Sequence, residues 1–167
     1  MTTVRIGFRV FDGINEYTEE RDFEALDGIQ EDVNDCMESA VDSFCEEFPD
    51  STYEEEWYVC EYDDDYADPA SFDDLNDYAE YVELCDRLGE GYRMRYDDLG
   101  ELSERDFDNS YNGCWDSFEE FCRNIFSEDY DIPKHLDCYI DWGLVARDMS
   151  MDYSTYEGRD GVHVFRD

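Results

Sequence analysis

Between Arg21 and Arg87 the chain has no lysine and no arginine, yet 25 of its 49 acidic residues fall in that stretch. Any fold built there must leave those carboxylates in water, because burying an unpaired carboxylate costs more than a small domain's stability can offset. Its helices and strands must therefore be two-sided, with one apolar and one acidic face. Over all 167 residues, 49 Asp+Glu stand against 12 Lys+Arg, a net charge of −37, and Lys134 is the single lysine. Solubility asks for a net charge of magnitude only about 2–8, and self-repulsion opposes compaction. The acid excess argues against direct nucleic-acid binding and against adhesion to anionic membranes, both of which use Lys and Arg. An aromatic content of 17% argues for a folded chain. No apolar run approaches the length of a transmembrane helix, and the opening residues Met1 to Arg5 lack the pattern of a signal peptide. Seven cysteines without a C-x-x-C pair predict reduced thiols and a cytoplasmic protein. The two histidines, His135 and His163, are not paired with cysteines at zinc spacing, so zinc is not expected, and no cofactor is expected either.

Hydrophobic periodicity predicts an α+β chain. Val4, Ile6, Phe8 and Val10 alternate as a strand ending near Gly13. Ile29, Val33, Met37, Ala40, Val41, Phe44 and Phe48 follow helical spacing over about 28–48, and Pro49 stops the helix. Residues 57–62 read as a strand, 63–70 as an acidic loop, and 72–88 as a helix capped by Ser71 with Asp74 and ended by Gly89 and Gly91. Tyr92, Met94 and Tyr96 alternate as a short strand, and 97–113 read as loop with one helical turn. Helices are expected over 117–126 and 133–148, then a hairpin of strands near 152–156 and 162–166. Two to three small lobes follow, with boundaries drawn as 1–66, 67–105 and 106–167.

The acids of the first long helix fall on one side. Glu31, Asp35, Glu38, Asp42 and Glu46 climb 15 residues on the face opposite the apolar one, with no base among them. That is about 22 Å at 1.5 Å per residue. Asp73, Asp77 and Glu80 make a shorter stripe on the next helix, and Glu54, Glu55 and Glu56 with Asp63, Asp64 and Asp65 add two acidic runs. A solvated face explains any single stripe. The absence of compensating lysine over the whole stretch is what sets these apart. Duplex DNA carries one charge per about 1.7 Å of axis, so 37 charges equal about 63 Å of duplex. A compact globule of this length has a radius of gyration of about 15 Å. Repulsion thus favours an elongated arrangement of lobes, and these fourteen acids are the expected partner-binding, phosphate-mimicking residues.

Several segments resemble the ArdA family of antirestriction proteins. Tyr139-Ile140-Asp141-Trp142 followed by Ala146-Arg147-Asp148-Met149 is similar to the family's Y-[IF]-D-[YW] and [AG]-R-D-[LM] pair. Val162 to Phe165 fits its closing strand. Ser117 to Phe121 leading to Ile132-Pro133 and Leu136 resembles its helix and I-P-x-x-L step, Trp57 to Asp63 its strand into an acidic segment, and Leu75-Asn76 its L-N. The resemblance covers about 57–167, whereas Asp12 to Tyr17 do not reproduce the family's opening segment. It implies an elongated homodimeric DNA mimic, carried by phages or mobile elements. Such a protein occupies the DNA groove of a type I restriction–modification enzyme through surface Asp and Glu and has no catalytic residues. An inhibitor of another DNA-binding defence system is the nearest alternative.

Two rivals come from other classes. Asp108 to Glu119 matches an EF-hand calcium loop, with Asp108, Ser110, Asn112, Asp116 and Glu119 as ligands and Gly113 at the turn. Trp115 occupies the position of a small aliphatic residue, and Gly100 interrupts the entering helix. The simpler account is a turn leading into a helix with Ser117 and Glu120 as a capping box. A halophile's acidic enzyme is the other rival. With 49 acids every carboxylate spacing exists, so no pair stands out as a hydrolase site. No G-x-S-x-G, Walker A or H-E-x-x-H sequence occurs. Arg147 is expected to pair with its flanking acids, and Tyr139, Trp142 and Phe165 to lie in the core.

Overall fold

Val4, Ile6, Phe8 and Val10 are fully buried along one face of the first strand, β1 (Val4–Phe11). In this computed structural model, which describes residues 3–63, 65–130, 132, 133 and 135–167, β1 is the centre of a three-stranded antiparallel sheet. Its neighbours are β2 (Glu16–Phe23) and β3 (Glu54–Glu61), in the order β2-β1-β3. The helix α1 (Ile29–Glu47) lays Ile29, Val33, Met37, Ala40 and Phe44 on the buried face. Each fully buried aliphatic or Phe side chain contributes about 1.5–3 kcal/mol, which is what holds so acidic a segment together.

The chain divides into two compact units, Met1–Asp86 and Arg87–Asp167. The first is completed by a short 3-10 turn (Pro69–Ser71) and most of α2 (Leu75–Leu88). The second holds α3 (Glu90–Leu99), α4 (Glu104–Ser110), β4 (Tyr111–Trp115), α5 (Phe118–Asp129), a 3-10 turn (Asp137–Tyr139), α6 (Trp142–Met149), β5 (Tyr153–Glu157) and β6 (Val162–Arg166). Its sheet runs β4-β6-β5, antiparallel throughout. The central strand β6 is buried on both faces. Val164 packs with Phe121 and Cys122 of α5, while Phe165 meets Phe107 of α4, Tyr111 and Tyr156. Among the described residues no helix is long and apolar enough to cross a membrane.

The α+β class, α1, β1, β3, α5 and the terminal hairpin stand where periodicity puts them. Other expectations are corrected. Periodicity does not reveal the strand β2, because its sequence EYTEERDF offers only Tyr17 and Phe23 as apolar marks. Tyr92, Met94 and Tyr96 belong to α3, not to a strand. Gly89, at φ +82°, ends α2 and lets a new helix start at once, and in a five-residue run alternation mimics an i,i+4 pair; the Tyr92 and Tyr96 rings lie 6.1 Å apart on one helix face. The segment 97–113 holds α4 and the start of β4 instead of loop. The cap of α2 is Asp74, whose Oδ1 accepts the Asn76 N–H at 2.7 Å, while the Ser71 hydroxyl donates to the Asp68 carbonyl. The helix expected over 133–148 is two pieces, because Asp141 accepts the Leu144 N–H at 3.0 Å and starts α6 afresh. Tyr139 is not core: it is 83% exposed, whereas Trp142 and Phe165 are buried.

Candidate functional site

The outer face of α1 carries the predicted stripe. Glu31, Asp35, Glu38, Asp42 and Glu46 are all exposed, and among the described residues none forms an ion pair. The helix starts after Gly28 at φ +72° and has no side-chain cap of its own. Its first turn is served from α2 instead: the Gln30 N–H donates to Asn76 Oδ1 at 3.4 Å, and the Leu75 N–H donates to Gln30 Oε1 at 3.3 Å. Two helix starts thus satisfy each other's orphan donors. Glu31 and Asp32 suit the positive N-terminus, but no base stands in the last turn to offset Glu46 and Glu47. The stripe is therefore held in place by the apolar face beneath it, against its own repulsion.

Glu54, Glu55 and Glu56 are exposed on β3, an edge strand. Glu56 differs from its neighbours, since its Oε1 takes the Arg9 guanidinium at 2.9 Å. Arg9 also pairs with Glu16 at 2.7 Å, and Arg5 with Asp22 at 2.7 Å and Glu61 at 3.0 Å. On the sheet face away from α1, the two arginines of β1 thus each bridge an acid from β2 and an acid from β3. Asp63 is exposed and accepts the Asp65 N–H; Asp64 lies outside the described residues. Asp73, Asp77 and Glu80 are exposed at and along the start of α2. Glu80 continues into Glu83 and Asp86, which line an open cleft with Glu24 and Asp27. Those four acids were not singled out by spacing, because the cleft joins the loop before α1 to the middle of α2.

The charge divides unevenly between the units. Residues 1–86 hold 29 acids and 3 bases, net −26; residues 87–167 hold 20 acids and 9 bases, net −11. In the second unit arginines meet acids repeatedly: Arg87 with Glu104, Arg95 with Asp167 at 3.2 Å and Arg123 with Asp137 at 2.7 Å. Arg147 reaches Asp148 only at 3.9 Å, both well exposed, a pair that adds little.

The five residues of the calcium reading are spread over three elements. Asp108 and Ser110 lie in α4, Asn112 in β4, and Asp116 and Glu119 around the start of α5, where Ser117 accepts the Glu120 N–H at 3.2 Å. Among the described residues no group of three or more His, Cys, Asp or Glu is placed to hold a metal ion. His163 is buried, with Nδ1 2.9 Å from the Tyr111 hydroxyl and Nε2 3.6 Å from Glu90.

The family profile described as antirestriction protein (ArdA) matches residues 17–164, most of the chain. The chain belongs to the ArdA family of antirestriction proteins. No curated protein sequence matches it. ArdA proteins act against restriction–modification enzymes, which gives the kind of partner this chain has. The match opens at Tyr17, so it takes in β2 and α1, which the motifs from Trp57 onward leave out. Most of the strongly acidic unit is thus part of what the ArdA profile describes, and β1 with the β1–β2 turn precedes the match.

Proposed function

We propose that the chain acts by occupancy: its acidic faces stand in for a DNA backbone and fill the DNA-binding groove of a type I restriction–modification enzyme, without catalysis and without a cofactor. The unpaired stripe on α1 is the observation that carries this reading. Five carboxylates over about 22 Å give one charge per about 5–6 Å, against one phosphate per about 3.4 Å on each strand of DNA. The rest of the density comes from Glu54, Glu55, Asp63, Asp65, Asp73, Asp77 and Glu80. Arginine and lysine in a DNA groove donate to carboxylate oxygens as they donate to phosphate oxygens, through charge-assisted bonds. Association is fast through steering and weakens with salt. The acting species is taken to be a homodimer in the cytoplasm of a bacterial host.

A competition assay tests this. Labelled duplex bound to a purified type I methyltransferase core is challenged with the protein across a salt series. The expected result is displacement at low salt that fades as salt rises. No displacement at any salt, with displacement of duplex from a different defence nuclease, moves the reading to another DNA-binding target.

A further inference from the structure

The sheet of the first unit is covered by α1 on one side only. At the centre of its bare side stands Gly7, and the hydroxyl end of the Tyr58 ring lies over it: a Cβ at Gly7 would fall against Cζ of the ring and 2.8 Å from the hydroxyl oxygen. Any other residue at position 7 would push the ring away. Tyr58 is nevertheless 42% exposed. Across β1 from it, also in register with Gly7, is Glu20 of β2, an exposed carboxylate with no ion pair among the described residues.

The same face shows what such a pairing holds. Two residues along β1, the Arg9 guanidinium lies 4.4 Å over the Phe11 ring while it pairs with Glu16 and Glu56. A ring and flanking carboxylates there seat an arginine of the chain itself. Tyr58 and Glu20 repeat the ring and the carboxylate, with none of the chain's arginines stacked on them among the described residues. We propose that this position receives an arginine side chain of the cationic partner, its guanidinium stacked on Tyr58 and paired with Glu20. Guanidinium suits the site better than ammonium, because its plane stacks on a ring and its hydration is weaker. The proposal rests on the reading of the partner as an arginine-bearing DNA groove.

Tyr58→Leu, Tyr58→Phe and Glu20→Gln variants of the full chain are compared in the competition assay. Tyr58→Leu is expected to weaken competition roughly three- to tenfold with an unchanged salt slope, since no charge is lost. Tyr58→Phe should stay near wild type, and Glu20→Gln should weaken competition and flatten the slope. Tyr58→Leu competing as wild type at every salt overturns the proposal. A second measurement needs neither the enzyme nor a variant: the Tyr58 ring signals of the wild-type chain are followed by NMR during titration with hexa-arginine or hexa-lysine. A shift with arginine well beyond that with lysine supports the site, and equal shifts overturn it. Failure of wild type to displace duplex, with the arginine-selective shift intact, counts against the functional reading alone.

Discussion

Asp12 shows how much one side chain does in the β1–β2 turn. Its carboxylate accepts the N–H groups of Asn15 and Ile14, the Asn15 amide and the Ser51 hydroxyl, at 2.7–2.9 Å. These bonds, the Asn15 N–H first, hold the carboxyl far below the usual carboxylate range. A depressed folded-state pKa contributes stability above the unfolded value, near pH 4, and loses it as pH falls toward the folded one. Glu90, held by the Arg159 N–H, and Glu104, held by Arg87, shift the same way, whereas burial pushes Asp97 up. The difference between wild type and Asp12→Asn isolates the effect: the gap in melting temperature is expected to be widest above pH 5 and to shrink steadily below pH 4. A gap that does not change with pH contradicts this assignment. Tyr78, fully buried and with no partner for its hydroxyl among the described residues, is the contrasting case; burial pushes its phenol well above the usual range and leaves it a neutral core residue.

At the scale of the element, α1 is stabilised by one face and destabilised by the other. Its stripe places like charges at i,i+3 and i,i+4 between 31–35, 35–38, 38–42 and 42–46, each costing roughly 0.2–0.5 kcal/mol at low salt. Asp35→Asn, Glu38→Gln and Asp42→Asn together break all four pairs. The triple variant is expected to be more stable, by about 1–2 kcal/mol in low-salt denaturant melts, and a weaker competitor of DNA. Stability and inhibition moving together would remove α1 from the binding surface. An all-or-none loss from any single one of the three would point to a discrete site in place of a distributed face. The same element shows why its neighbour was legible only in part. The apolar period of 72–88 announces a helix, but Ser71 and Asp74 are both good caps, and the choice fell to Asp74 because the Pro69–Ser71 turn engages Ser71.

At the scale of the whole molecule the uneven charge sets how the chain answers to salt. The Debye length falls from about 30 Å at 0.01 M to about 3 Å at 1 M. Screening therefore relieves the unit at −26 more than the unit at −11. Hydrogen exchange should show amide protection in β1 rising more steeply than in β6 between 10 mM and 1 M KCl. Equal rises would mean that repulsion within the first unit is not what limits its stability. Folding only in molar KCl would instead favour the salt-adapted enzyme among the rivals.

Read by itself, the sequence determined the quantities that are local or additive: the net charge, the base-free stretch, the two-sided pattern of α1, the alternation of β1 and the closing hairpin, and the motifs that mark the ArdA family. A charge count survives whatever the rest of the chain does, and so does a periodic pattern that runs the full length of its element. Tertiary structure decided what depends on register and on neighbours far along the chain. It made a strand of the nearly all-polar β2, because β1 offers it backbone partners. It paired Glu56 with an arginine 47 residues away while leaving Glu54 and Glu55 to solvent. It exchanged caps between Gln30 and Asn76, and it opened the space over Gly7 that Tyr58 fills. Which carboxylates remain free is a matter of which strands lie side by side, and strand pairing joins residues whose separation along the chain leaves no periodic trace.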